Sequence, residues 1–157
     1  MPDYAAETGG FWRSLSSADL EFVAAVDAAR LEVERERMNP GSRHLLSQPV
    51  YGLKNRYVMW ESLVHKMEHG FAPTGYYLID EYVNDLTSRA ELGSTVGRAP
   101  QGLRDRLTGH LGRLDDRFMR RTTDDSGAEF ERWGKRRPTS VPSTLWWRTP
   151  IQRPWER

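Results

Sequence analysis

The chain contains no cysteine among its 157 residues. This absence excludes a disulfide scaffold, a thiolate nucleophile and every zinc site that uses cysteine ligands. Long apolar runs are also missing, since no stretch approaches the roughly 20 apolar residues of a membrane-spanning helix. The first residues, MPDYAAETGGFW, have neither the basic n-region nor the apolar h-region of a signal peptide. We therefore expect a cytoplasmic protein with no membrane partner.

The sequence motifs of several enzyme classes are missing as well. There is no G-x-S-x-G nucleophile motif, no P-loop and no dinucleotide-binding glycine pattern. We therefore expect no cofactor and favour a non-enzymatic function. The chain has three lysines and two isoleucines but twenty arginines, a bias that suggests a GC-rich bacterial genome.

The residues that are present indicate one small domain. A chain of this length can bury roughly two thirds of the surface that it exposes when unfolded. Hydrophobic residues make up only 38% of the chain, so the core must depend on its six Trp, six Tyr and five Phe. We predict a mainly α, irregular four- or five-helix bundle with minor strand content. In this prediction residues 1–137 form the helical domain, and residues 138–157 form an extended strap packed on it.

The first predicted helix runs from about Ser17 to Met38. Ser16 precedes it and Asp19 follows three residues later, a pattern that resembles a capping box. At 100° per residue its apolar residues form two stripes on nearly opposite sides. The first stripe contains Phe22, Val26, Ala29 and Val33, and the second contains Leu20, Val23, Ala24 and Leu31. Such a helix either lies between other helices of the chain, which we favour, or presents one stripe to another protein. Leu20 and Leu31 are therefore candidate partner contacts.

Three further helices are predicted from apolar residues that recur every three or four positions. The apolar stripe of the second helix consists of Leu53, Tyr57, Trp60, Val64, Met67 and Phe71, and Gly70 lies at its C-terminal cap. The third helix starts near Asp80, and its stripe consists of Ile79, Tyr82, Val83, Leu86 and Ala90. The fourth helix has Pro100 in its first turn, and its stripe consists of Leu103, Leu107, Leu111, Leu114 and Phe118. A short helix is also predicted from Ala128 to Lys135.

One motif within the second helix suggests a metal site. Residues 65–69, HKMEH, match the H-x-x-E-H zinc-binding pattern of inverzincin proteases. Histidines four residues apart share one face of a helix, and Glu68 would be the general base. Glu61 adds a carboxylate one turn earlier. The match is short and degenerate, so we favour an exposed helix flank with a Glu61/His65 pair and keep a metal centre formed by Glu61, His65, Glu68 and His69 as the alternative.

The end of the chain is strongly basic. The segment from Arg132 to Arg157, called the basic segment below, contains seven basic residues, one acidic residue, four prolines and four of the six tryptophans. Its net charge is +6 and that of the whole chain is +1, so residues 1–131 carry about −5.

Three interpretations of the basic segment remain open. The one we favour is a structural strap, in which tryptophan rings cover the helices and arginines meet the acidic body. The second is single-stranded nucleic-acid binding through phosphate contacts and base stacking. The third is recognition of another protein, because Trp and Arg are enriched at binding hot spots. The candidate partner contacts in this segment are Trp133, Arg136, Arg137, Trp146, Trp147 and Arg148.

These observations favour a protein-binding module over an enzyme. The two-faced first helix and the split charge distribution are its main support, and an acidic surface suits a basic partner. The most concrete hypothesis is an immunity or antitoxin-like inhibitor of a bacterial toxin, which rests on analogy. The alternatives are a small metal-dependent hydrolase that uses the H-x-x-E-H motif and a nucleic-acid-binding protein that uses the basic segment.

Overall fold

The computed structural model describes residues 3–71, 77–136 and 147–156. The elements in these residues are α1 (Ala6–Arg13), α2 (Ser17–Glu36), a 3-10 helix (Pro40–Leu45), α3 (Leu53–His69), α4 (Ile79–Val96), α5 (Gln101–Arg120), β1 (Thr122–Thr123), α6 (Ala128–Arg132) and β2 (Thr149–Pro150). The prediction of a mainly α bundle with minor strand content is confirmed. None of the described helices has the length and apolar character of a membrane span.

The core lies between α3, α4 and α5, and α3 contacts both of the other helices. It is formed by the three stripes that the sequence predicted, because side chains three and four positions apart share a helix face. All five predicted positions of α5, from Leu103 to Phe118, are buried. On α3 the predicted positions from Leu53 to Met67 are buried and Phe71 is partly buried. The periodic pattern therefore identified the central layer of the fold correctly.

The predicted helix ends are also close to the observed ones. Ser16 and Asp19 form a reciprocal capping box at the start of α2, and Gly70 caps α3 with a φ of 90°. Pro100 is the N-cap of α5 rather than a residue of its first turn. Two helices end earlier than predicted, α2 at Glu36 instead of Met38 and α6 at Arg132 instead of Lys135.

Helix α1 was not predicted from the sequence. Its eight residues, AETGGFWR, include two glycines, which weaken a helix intrinsically. Its N-cap residue, Ala5, supplies no side-chain hydrogen bond. The helix packs on α3 and is completed there by a carboxylate from that helix.

Helix α2 lies at the periphery and is held by polar contacts together with the packing of Phe22, Val23 and Val26 on the core. Only three of its 20 residues are buried: Asp19, Val23 and Glu34. The carboxylate of Asp27 accepts the backbone N–H of Leu53 at 2.9 Å. Glu34 accepts the backbone N–H groups of Val50 and Tyr51, each at 3.0 Å. These bonds fix the position of α2 while its apolar stripes stay largely accessible.

The described end of the chain packs on the helices. Strands β1 and β2 are antiparallel, with Thr122 opposite Pro150. Trp147 is buried, with 2% of its surface exposed, and its ring centroid lies 4.9 Å from that of Phe130. Residues 138–146 of the predicted strap lie outside the described residues, so the proposed division of the chain at 137/138 remains a prediction.

Candidate functional site

The structure brings the four sequence-predicted metal candidates together at the α1–α3 contact. His65 and Glu68 are partly buried and His69 is exposed, and the two histidine rings stack with their centroids 5.8 Å apart. One potential ligand atom from each of these three residues lies within 4.8 Å of the others. Glu61 and His65 form a second group of the same size with Glu7 of α1, which the sequence did not indicate.

The buried carboxylate of Glu61 has a structural role in this arrangement. Its two oxygens accept the backbone N–H groups of Glu7 at 3.1 Å and of Thr8 at 2.7 Å. These donors lie in the first turn of α1, where backbone N–H groups have no partner within the helix. Glu61 therefore caps α1, and its negative charge also suits the positive end of the helix dipole.

Arg117 of α5 occupies the space between the other two carboxylates. Its guanidinium donates to Glu7 at 2.7 Å and to Glu68 at 2.6 Å. The hydrogen bond from Arg117 lowers the pKa of Glu68 despite partial burial. Burial alone would raise the pKa of Glu7, but the bonds and charges of Arg117 and His65 outweigh it and lower that pKa. A divalent cation at Glu7 or Glu68 would have to compete with this arginine, so the geometry favours an ion-pair network at these two carboxylates.

The partner candidates in the basic segment occupy different environments. Trp147 lies in the core, where a partner cannot contact it in this fold. Arg148 is turned inward and donates from Nε to the hydroxyl of Thr122 at 2.9 Å. Trp133 is 42% exposed, and Arg136 is exposed. The other two candidates, Arg137 and Trp146, lie outside the described residues.

Several cations of the basic segment pair with acidic residues of the same chain. Arg132 binds Glu156, and Arg153 lies 3.2 Å from Glu129. Lys135 binds Asp80 at the start of α4. These pairs reduce the positive charge that the described part of the segment offers to phosphate groups, which weakens the case for nucleic-acid binding.

Helix α2 has an open cleft beside each of its two apolar stripes. The first stripe lines a cleft of about 700 Å³ between α2 and α4, called the arginine cleft below. The residues that line it are Phe22, Ala25, Val26, Ala29, Arg30, Val33, Tyr51, Leu53, Arg56, Glu91, Ser94, Thr95 and Arg98. Sequence reasoning identified the apolar wall but missed the three arginines, because they come from α2, from α3 and from the turn after α4 and have no shared pattern along the chain.

The second stripe lines a groove of about 710 Å³ between α2 and the segment around residues 47–58, called the loop groove below. The residues that line it are Trp12, Val23, Ala24, Asp27, Ala28, Leu31, Ser47, Gln48, Pro49, Gly52, Lys54, Asn55 and Val58. Leu20 belongs to the same stripe and is 44% exposed. The two expectations for α2 were a position between other helices of the chain or one apolar stripe left for a partner. The structure buries Val23, partly covers Phe22, Val26 and Leu31, and leaves the rest of both stripes exposed.

The surface of α2 between the two stripes is acidic. Glu21, Glu32 and Glu36 are exposed there, and the whole helix contains six acidic and two basic residues. An acidic ridge with an apolar groove on each side can hold a partner that combines apolar side chains with positive charge.

No family model, curated protein or solved structure matches this chain.

Proposed function

We propose that this chain is a cytoplasmic, non-enzymatic protein-binding module whose docking element is helix α2. The observation that carries the proposal is the burial of only three of the 20 residues of α2, with an open groove beside each apolar stripe. A helix with so few buried residues leaves most of its surface available for contact with another protein. The polar bonds of Asp27 and Glu34 hold this surface in place before a partner arrives, which lowers the entropy cost of binding.

The loop groove is the part of this surface that we expect the partner to enter. It contains Leu31 and lies beside the exposed Leu20, the two candidates that the sequence indicated. Each Å² of apolar surface buried there would contribute about 25 cal/mol before the costs of association are subtracted.

The charge of α2 indicates a basic partner. Residues 1–131 are net negative, and the exposed glutamates of the ridge lie next to the loop groove. Among bacterial proteins, toxins that attack nucleic acid have basic surfaces, because they must bind phosphates. An immunity or antitoxin-like inhibitor of such a toxin is therefore the function we propose, since an acidic ridge would cover a basic active surface.

The test is affinity capture with matched variants of the full chain in extracts of the cells that produce it. Leu20→Glu/Leu31→Glu adds charge to the docking stripe, and Leu78→Glu makes the same change at an exposed leucine before α4. We expect a basic protein to be retained by the wild type and by Leu78→Glu and lost from the double variant. Retention of the same proteins by all three folded chains, or of none, would contradict the proposal.

A further inference from the structure

The arginine cleft combines an apolar wall with positive charge at its base. Phe22, Val26 and Val33 of α2 form one side, and the fourth turn and C-terminal end of α4 form the other. Its volume of about 700 Å³ is within the range of small-molecule sites, roughly 300–1,000 Å³. Apolar clefts of this size with a few polar groups commonly hold a small ligand.

Two of the three arginines, Arg30 and Arg56, converge on one carboxylate. Arg56 is 7% exposed and donates to Glu91 at 2.9 Å. Arg30 lies 3.9 Å from the same oxygen of Glu91, and its ion pair with Glu34 is also long, at 3.7 Å. The Nε atom of Arg30 is buried and has no hydrogen-bond partner among the residues that the structure describes. This nitrogen is closed to solvent, so a ligand would contact the part of the Arg30 side chain that is accessible, which is 18% exposed and has only long ion pairs.

The charges of the cleft are not balanced. Arg30, Arg56 and Arg98 face the carboxylates of Glu91 and Glu34, which leaves one positive charge in excess. Arg98 has only a long contact with the hydroxyl of Thr95, at 3.5 Å, and no carboxylate partner within the described ranges. Burial lowers the pKa of Arg56, and the nearby charge of Arg30 lowers it further while Glu91 opposes both effects. One additional anion would therefore be favoured here.

We propose that the arginine cleft binds a small organic anion with one charged head group and an aromatic or branched apolar body. The head group contacts Arg30, whose ion pairs are long, and Arg98, which has no carboxylate partner among the described residues, and the body packs against Phe22 and Val26. Guanidinium groups suit this role, because their planar donors match the oxygens of carboxylate, phosphate or sulfonate groups. This site is on the side of α2 opposite the loop groove, so it does not depend on the proposed protein partner.

The test uses two fluorescent probes with the same ring system and different charge. Anilinonaphthalene sulfonate carries one negative charge at neutral pH, and phenylnaphthylamine is its uncharged counterpart. We expect the wild type to bind one sulfonate probe per chain, at least about tenfold more tightly than the uncharged probe. Equal affinities for the two probes, or no saturable binding of the sulfonate, would overturn the proposal.

Three variants locate the bound probe. Arg30→Met/Arg98→Met removes the proposed head-group contacts and leaves the buried Arg56 in place, while Arg113→Met makes the same change at an exposed position of α5. Ala29→Trp fills the cleft from an exposed position of α2.

The variants give distinct expected results, provided that each melts near the wild-type temperature. We expect the double arginine variant to bind the sulfonate probe at least about fivefold more weakly than the wild type does, with the same affinity for the uncharged probe. Ala29→Trp should lower the affinity for both probes, and Arg113→Met should change neither affinity. Unchanged sulfonate affinity in the double variant or in Ala29→Trp would show that the probe binds elsewhere and would overturn the proposal.

Discussion

The carboxylate of Glu61, in the middle of α3, accepts the backbone N–H of Thr8 in the first turn of α1 at 2.7 Å. The two residues are 53 positions apart in the sequence. Because Glu61 is fully buried, this bond joins the end of α1 to the centre of the bundle. The same residue was a metal candidate from sequence, and the structure gives it the role of a helix cap supplied by another helix.

Replacement of Glu61 by alanine should destabilise the protein strongly. The substitution leaves the buried backbone donor of Thr8 and the part-buried donor of Glu7 without their acceptor, so we expect a loss of about 2–3 kcal/mol in the free energy of unfolding. Urea denaturation measures this loss. As a control, Glu32→Ala on the exposed ridge should cost less than about 0.5 kcal/mol. A loss for Glu61→Ala as small as that of the control would contradict the capping role.

The histidines of the H-x-x-E-H motif should not give zinc-dependent stability. Because Arg117 already pairs with Glu68 and Glu7, we expect the melting temperature of the wild type to be the same with stoichiometric zinc and with a chelator. His65→Ala/His69→Ala should behave in the same way. A zinc-dependent rise in the wild type that the double variant abolishes would support the metal centre, since a ligand of the folded state must stabilise it.

Trp147 should contribute far more to stability than Trp133. Its indole is buried against Phe130, so Trp147→Ala should cost about 3–5 kcal/mol through lost burial and the cavity left behind. Trp133 is substantially exposed, and Trp133→Ala should cost at most about 1 kcal/mol. Thermal or urea unfolding of the two variants gives the comparison. Similar small losses in both would mean that residues 147–150 do not hold the end of the chain on the bundle.

Asp85 should contribute stability at low pH that is lost as the pH rises through the weakly acidic range. Burial raises the pKa of Asp85 to about 6, although the hydrogen bond from the Tyr77 hydroxyl opposes this effect. The unfolded chain loses the same proton near a pKa of about 3.9. The folded state therefore binds more protons between about pH 4 and 6, so the free energy of unfolding decreases with pH in this window.

Asp85→Asn isolates this contribution, because asparagine does not titrate. Between pH 4 and pH 7 the free energy of unfolding of the variant should fall by about 1–3 kcal/mol less than that of the wild type. Urea denaturation at a series of pH values supplies both curves. Parallel curves over this range would show that Asp85 ionises equally readily in both states.

The sequence predicted the central helices well because their burial depends on local periodicity. The stripe from Leu103 to Phe118 follows one face of α5, and each of its members is buried. Helix α1 was missed because its stability depends on Glu61, a distant residue whose contribution no local pattern shows. The stripes of α2 were recognised from the sequence. Whether the chain covers them depends on the distance between α2 and α4 in the tertiary structure, and no sequence pattern gives that distance.

The candidate sites were predictable to a smaller degree. Leu20 and Leu31 were indicated by helical periodicity, and the structure leaves Leu20 exposed. Trp147 was indicated by composition, and composition cannot distinguish a core tryptophan from a contact tryptophan. Arg30 and Arg56 lie 26 positions apart in the sequence and converge only when α2 and α3 fold together around Glu91. Such convergence is a property of the tertiary structure.

Hydrogen–deuterium exchange of the chain, alone and with the captured partner, tests most directly whether α2 is the docking element. Because only three residues of α2 are buried, its amides should exchange measurably in the unbound protein. The account predicts that the partner slows exchange in residues 17–36 and in the segment 47–58 that faces them across the loop groove. Slower exchange confined to α6 and residues 147–156, with α2 unchanged, would contradict it and identify the basic segment as the binding surface.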